Sequence, residues 1–286
     1  MNQGCPNSEC LQSKIIKDGF FFRPSDGRKI QRYKCSNCGK RFSKATFDPC
    51  YRQNKRRVNF KLENLLSSGV SLRRATRMLH VNKNTIARKL QFLGKTSRKS
   101  HKRFLENHPK FRSIQFDDLH TIEISKCLPV AVTVVVDAET QKIIDFELSR
   151  MPANGHLAAI SRKKYGLRPD ERQQAIAKLF ERIAPYIDPE ATIVSDKHPY
   201  YAPLVKKYFP KAKYTQVKGR KSCIAGQGEL KKGGYDPLFS LNHTCAMLRA
   251  NINRLFRRTW CTTKSLDRLR DHLSIYVNYH NRVLKS

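Results

Sequence analysis

Two pairs of cysteines near the start of the chain constrain its fold more than any other feature. Cys5 and Cys10 enclose four residues, Cys35 and Cys38 enclose two, and 24 residues separate the pairs. Pairs so spaced can bring four thiolates onto one tetrahedral Zn²⁺. Between them, Gly19-Phe20-Phe21-Phe22 and Ile30-Gln31-Arg32-Tyr33 flank the turn formers Ser25-Asp26-Gly27, a hairpin pattern. In Cys38-Gly39-Lys40 the glycine suits a tight knuckle whose N–H groups point at thiolate. A unit this small buries too little surface to hold itself together, so the metal is expected to supply its folding energy. The expectation is a zinc ribbon over residues 1–50, with Cys5, Cys10, Cys35 and Cys38 as ligands and Cys50 outside the set.

Charge narrows the choice of partner. Lys and Arg number 57 against 23 Asp and Glu, a formal charge of +34. A compact body so charged repels itself unless it meets a polyanion, and nucleic acid fits because each contacted phosphate releases counterions. No apolar run reaches the ~18 residues of a membrane helix, and the polar start Met1-Asn2-Gln3-Gly4 is unlike a secretory leader. A cytoplasmic location with the bacterial nucleoid, and no membrane partner, is expected. In that reducing setting the nine cysteines are metal ligands or small buried hydrophobes rather than disulfides.

Residues 55–98 read as helical, within a helix-turn-helix DNA-binding domain expected over residues 51–98. Val58 to Ser67 forms an amphipathic stretch with Phe60, Leu62, Leu65 and Leu66 as apolar positions, and Gly69 ends it. Ser71 caps a second helix over Leu72 to Leu79; Asn82 or Asn84 caps a third reaching about Phe92. Ala75, Leu79, Val81, Ile86 and Leu90 have the spacing of a helix-turn-helix core, the small Ala75 letting the helices approach. The third helix then presents Asn82, Lys83, Asn84, Thr85 and Arg88 to a major groove of double-stranded DNA. Residues 99–110, rich in Lys and Arg, read as a basic linker.

From Phe111 the pattern becomes that of strands. A first strand ends at Asp117-Asp118, Leu128 to Val136 is an apolar β-branched run fit for a central strand, and Lys142 to Ser149 alternates. A helix over Arg168 to Ile187, the short strand Ala191 to Asp196, a helix Tyr201 to Phe209 and a strand Ala212 to Val217 follow. Lys218 to Tyr235 is loop-like, and helices over Leu238 to Arg258 and Thr263 to Val283 close the chain. This order is that of an α/β ribonuclease-H-like domain with a mixed five-stranded sheet, over residues 111–286. Asp117 or Asp118, at the end of the first strand, and Asp196, at the end of the fourth, would meet at adjacent strand edges. Carboxylates so placed suit Mg²⁺, which prefers hard oxygen ligands, and two-metal phosphodiester chemistry.

The chain resembles the insertion-sequence transposases with a DDE-type catalytic domain, in particular those that begin with a four-cysteine zinc ribbon and a helix-turn-helix. The resemblance is carried by Arg32 to Phe42, by Phe116-Asp117-Asp118, by Ser195-Asp196 with Tyr200-Tyr201, and by Asn242 to Arg258 with Thr263-Lys264-Ser265. It implies a multidomain protein that binds the terminal inverted repeats of a mobile element and cleaves and joins DNA with Mg²⁺ or Mn²⁺, as a homodimer or higher multimer on element ends and target. It also implies that Asp117, not Asp118, is the first catalytic acid and Asp196 the second. The third acid's position falls on Asn242, seven residues before the basic Arg249, which would contact DNA, and ahead of Arg254-Leu255. An Asn oxygen can still ligate metal, with one negative charge fewer. Glu229 and Asp236 compete for the third place; Asp236, before Pro237, has the look of a helix-start residue. A non-catalytic, repressor-like descendant is the alternative function, and a nuclease that cuts without joining is a third.

Overall fold

The computed structural model describes residues 4–10, 14–24, 27–218, 236–256 and 259–284, and the chain divides into two units, 1–58 and 59–286. The expected turn residues Ser25 and Asp26, the rival acid Glu229 with most of its Gly- and Lys-rich surroundings, and Arg258 lie outside the described residues.

The first unit is a three-stranded antiparallel sheet. Strand β1 (Ile15–Arg23) pairs with β2 (Arg28–Cys35), which pairs with β3 (Arg41–Ser43). Among the described residues its buried matter is slight: Cys35 and Phe42 are the buried apolar side chains ahead of Val58, with Tyr33 stacked on Phe42 at 5.8 Å. Phe20 and Phe22 stay exposed. A sheet with so small a core depends on a cross-link for stability.

The second unit begins with three helices, α1 (Val58–Leu66), α2 (Leu72–Leu79) and α3 (Lys83–Asn107). Ser71 Oγ accepts the Arg74 N–H at 3.2 Å and Asn82 Oδ1 accepts the Asn84 N–H at 2.8 Å, so both caps form as the side-chain chemistry predicts. His80, in the left-handed conformation, turns the chain between α2 and α3. Leu62, Leu66, Ala75, Ile86 and Leu90 are fully buried. Phe60, expected on the apolar face of α1, is instead exposed, because the face that packs carries Leu62 and Leu66.

The basic linker is corrected. Residues 99–107 continue α3 without a break, and Leu90, Leu93, Ser97 and Leu105 keep one buried stripe along it. Polar and charged residues fill the rest of that face because it meets polar partners. Arg98 binds Asp271 at 2.9 Å, and a His101 ring nitrogen lies 2.7 Å from the Ile144 carbonyl. Gly94 sits where α3 crosses a later helix, α8 (Leu266–Tyr279); a Cβ there would lie 2.7 Å from that of Asp271.

A five-stranded sheet follows in the order β6-β5-β4-β7-β8, formed by β4 (Phe111–Ile122), β5 (Pro129–Asp137), β6 (Ile143–Arg150), β7 (Ile187–Asp196) and β8 (Lys213–Val217). The first three are an antiparallel meander; β7 and β8 add in parallel beside β4. The arrangement is consistent with a ribonuclease-H-like α/β domain. Helices α4 (Leu157–Tyr165), α5 (Arg172–Ile183), α6 (Tyr201–Tyr208) and α7 (Phe239–Asn251) complete the unit with α8. One core packs Phe116, Ile193 and Leu105 with α5 and α6; the other packs Leu119, Val132 and Val134 with α7 and α8. The alternation along β4 thus divides its side chains between two helical layers.

Three further expectations shift. Strand β4 runs on past the acids to Ile122, because β5 pairs with it as far as Ile122↔Pro129. Helix α7 stops at Asn251, whose carbonyl accepts the Gly69 N–H at 2.7 Å, and the chain turns so that Ile252 and Leu255 still reach the core. Helix α5 starts at Arg172, and α4 before it has no counterpart in the sequence reading. No helix among the described residues is long and apolar enough to cross a membrane.

Candidate functional site

Each unit carries one constellation. In the first, the sulfurs of Cys5, Cys10, Cys35 and Cys38 all lie within 4.8 Å of one another. Cys5 and Cys38 are 3.4 Å apart and Cys10 and Cys35 3.7 Å, close to the ~3.8 Å between sulfurs that a tetrahedron with ~2.3 Å Zn–S bonds requires. The β2–β3 turn positions the second pair, with Gly39 at positive φ. The backbone N–H of Cys38 and then that of Asn37 oppose the effect of burial and hold the Cys35 thiol down to about 7. Asn37 Nδ2 reaches the Cys10 sulfur at 3.6 Å. Thiols gathered this tightly, with N–H groups aimed at them, fit a metal that prefers sulfur. Cys50 is not in the set.

In the second unit, the last parallel pair between β4 and β7 is Phe116↔Ser195. One residue further, Asp117 and Asp196 follow on neighbouring strands, at the point where β7 ends and β4 continues. The expected meeting of these two strands' acids takes place in the interior of β4. Burial first, and the charge of Asp196 second, push Asp117 up to about 7, against the pull of the Asp118 N–H, 2.7 Å from Asp117 Oδ1. Burial also pushes Asp196 up; His198 draws it down and Asp118 adds to the rise. Asp118 is committed elsewhere, its Oδ1 accepting the Thr133 hydroxyl of β5 at 2.5 Å. Among the described residues, Asp196 Oδ1 and Asp118 Oδ2 are buried oxygens without a hydrogen-bond partner. Such oxygens, in a group of mutually repelling acids, fit a hard divalent cation.

Around these acids stand residues that the sequence did not single out for the site. The Tyr201 hydroxyl donates to Asp117 Oδ1 at 3.3 Å. Beyond Asp196, His198 Nε2 lies 3.4 Å from Arg172 Nη1, and Arg172 is clamped to Asp170 at 2.6 Å. The pair Tyr200-Tyr201 was visible after Asp196; nothing in the sequence joins Arg172 to His198.

Helix α7 brings Asn242, Cys245 and Arg249 onto one face by its three- and four-residue steps. On that face, burial and then the charge of Asp117 push the Cys245 thiol up to about 12 while Arg249 opposes them. Asn242 is exposed, and its Nδ2 donates to Asp236 Oδ2 at 2.9 Å. No direct hydrogen bond joins Asn242 to Asp117 or Asp196. Asp236 also accepts the Leu238 N–H at 3.0 Å, in the turn two residues ahead of the N-cap of α7, Leu238. Of the expected DNA contacts, Lys83, Asn84 and Arg88 are exposed at the start of α3, while Thr85 and Arg249 are half-buried.

No protein-family model matches the chain, and no curated protein matches it. Among solved structures, it is similar to the catalytic domain of Mos1 mariner transposase, at 16% identity and a TM-score of 0.28, over 68% of this chain and 88% of that one. A likeness this distant carries no argument, so the functional reading rests on the chain's own geometry.

Proposed function

We propose that this protein is a DNA transposase, binding the terminal inverted repeats of a mobile element and cutting and joining strands at a divalent-metal site. The observation that carries the reading is the pair Asp117 and Asp196, side by side at the end of β7, with a buried carboxylate oxygen left without a partner. Two buried carboxylates without a cation repel one another; Mg²⁺ or Mn²⁺ between them removes that cost. When bound, such ions polarise the scissile phosphate and lower the pKa of the attacking water. Asp117 and Asp196 would hold them, the Tyr201 hydroxyl fixing the Asp117 carboxylate. Asn242, its amide nitrogen occupied by Asp236, would offer the remaining oxygen. Arg249, on the same face of α7, would take a DNA phosphate.

The other parts supply recognition. Lys83, Asn84, Thr85 and Arg88 open the helix that enters a major groove, and Zn²⁺ on Cys5, Cys10, Cys35 and Cys38 stabilises the first unit. An element has two ends, each needing an active site, so the working form is a homodimer or higher multimer on DNA.

The test is cleavage of a labelled duplex carrying the element's own end, with Mg²⁺ or Mn²⁺. Asp196→Ala and Asn242→Ala should each lower the rate on the order of 100-fold with duplex affinity unchanged, and Asn242→Asp should keep activity. Asn242 bonds to Asp236 rather than to the acids, which favours one rival: a non-catalytic DNA-binding descendant. A parent protein that binds its element ends and never cuts them establishes that rival.

A further inference from the structure

A cleft lined by none of the candidate metal-site residues lies where the start of α2 faces the chain between α7 and α8. Its volume is about 280 Å³, and Ser71, Arg254, Trp260, Lys264, Arg268 and His272 are among the residues lining it. Three of these are cations. The neighbouring carboxylate, Asp271, has both oxygens engaged: Oδ1 by Arg98 at 2.9 Å and Oδ2 by Arg268 at 2.6 Å. The half-buried Arg254 makes its described hydrogen bond to a neutral acceptor, Thr263 Oγ1, at 3.0 Å. Burial first, and the like charge of Arg268 second, lower the Arg254 pKa, with Asp271 opposing them. Asp271 acts on Arg254 only through space, its oxygens being bonded to Arg98 and Arg268, and a guanidinium drawn out of water with no direct anionic partner is stabilised when an anion joins it. His272 is buried and held near 4 by that burial, so it brings no charge. The first turn of α2 contributes the positive end of its helix and contains no acid.

We propose that this cleft binds a backbone phosphate of DNA, held by Arg254, Lys264 and Arg268 at the amino end of α2. The inference rests on DNA being the ligand, as proposed above, and assigns a contact outside both the metal site and the reading helix. Its position explains how one duplex could be gripped twice. Helix α2 is joined to α3 by a short turn, so a duplex whose major groove receives the start of α3 runs its backbone past the start of α2. The cleft adds cations from α8 and the segment before it to that contact, locking the register of the reading head against the sheet domain. A planar guanidinium suits a phosphate better than it suits a diffuse ion cloud.

Trp260 is the chain's single tryptophan, and it stands at the cleft with 76% of its surface exposed, so its emission reports on this place alone. Lys264 is exposed, so Lys264→Ala should fold as the parent does, which a thermal melt checks. The probe is a fluorescently labelled duplex of the element end, with anisotropy measuring binding and Trp260 emission measuring cleft occupancy. Saturable change of Trp260 emission is expected on binding. Lys264→Ala should reduce the slope of log affinity against log salt by about 0.9, one phosphate contact, and Lys264→Arg should restore it. Inorganic phosphate alone should move the emission only at millimolar concentration. A duplex that binds by anisotropy while leaving Trp260 silent, or a parental salt slope in Lys264→Ala, overturns the inference and leaves the transposase reading standing. Saturation by micromolar inorganic phosphate with no response to the duplex also overturns it, in favour of free phosphate. If no duplex binds by anisotropy, both readings fall together.

Discussion

Asp117 is where stability and chemistry pull apart. Its carboxyl is raised from 3.8 to about 7 in the folded chain, so the fold disfavours the ionised form. That penalty is absent below the unfolded value, grows as pH rises toward 7, and is fully present above it. Asp117→Asn is therefore expected to raise the melting temperature of the metal-free protein at pH 8, by roughly 2–4 °C for each kcal/mol relieved, and to leave it nearly unchanged at pH 4. The same variant should lose metal-dependent cleavage. A melting temperature that falls at pH 8 would mean the carboxylate is already compensated in the fold. Gly94 gives the opposite lesson. On helix propensity alone, Gly94→Ala should stabilise α3 by about 1 kcal/mol. Its new Cβ would meet Asp271 Cβ at 2.7 Å, so the expected result is a lower melting point, with the Arg98–Asp271 pair displaced.

Helix α3 ties the proposed DNA-reading residues to the sheet domain, since its first two turns carry Lys83, Asn84 and Arg88 and its last buries Leu105 in the cluster with Phe111, Ile144 and Phe180. Leu105→Ala should cost about 2–4 kcal/mol. Because the helix is continuous, its effect should spread: hydrogen exchange should rise in α1 and α2 as well as near Leu105, the lost packing being common to one unit. Exchange confined to residues 99–107 would instead describe a hinge. The sequence conceals this continuity because His101, Arg98 and Lys102 look like solvent-facing residues. His101 and Arg98 in fact find their partners, Ile144 O and Asp271, more than forty residues away.

Across the molecule, the two units should answer differently to loss of metal. A strong chelator is expected to release about one Zn²⁺ per chain and to unfold residues 1–58, whose core is little more than Cys35, Phe42 and Tyr33. Residues 59–286, compared at the same free Mg²⁺ concentration, should melt as before, having two large cores on either side of the sheet. Hydrogen exchange before and after chelation checks this: protection lost from β7 or β5 would couple the units in a way this reading excludes. Cys35→Ser should mimic the chelator.

Much was legible in one dimension because it depends on local chemistry. Cysteine spacing predicted which four sulfurs gather; Ser71 and Asn82 marked two helix starts; the β-branched run through Val136 marked a buried strand; and Ser195-Asp196 marked the end of β7. Side-chain type and nearest-neighbour spacing suffice for such features, since caps and strand periodicity are short-range. The order of strands in the sheet, the length of α3 and the close crossing at Gly94 depend on residues far apart in the chain. So does the convergence of Asp117, Asp196 and Tyr201. Asp117 is raised by burial and by a charge 79 positions away, and Arg254 is lowered by burial and by the like charge of Arg268; both conditions exist only once packing has removed water and chosen which charges meet.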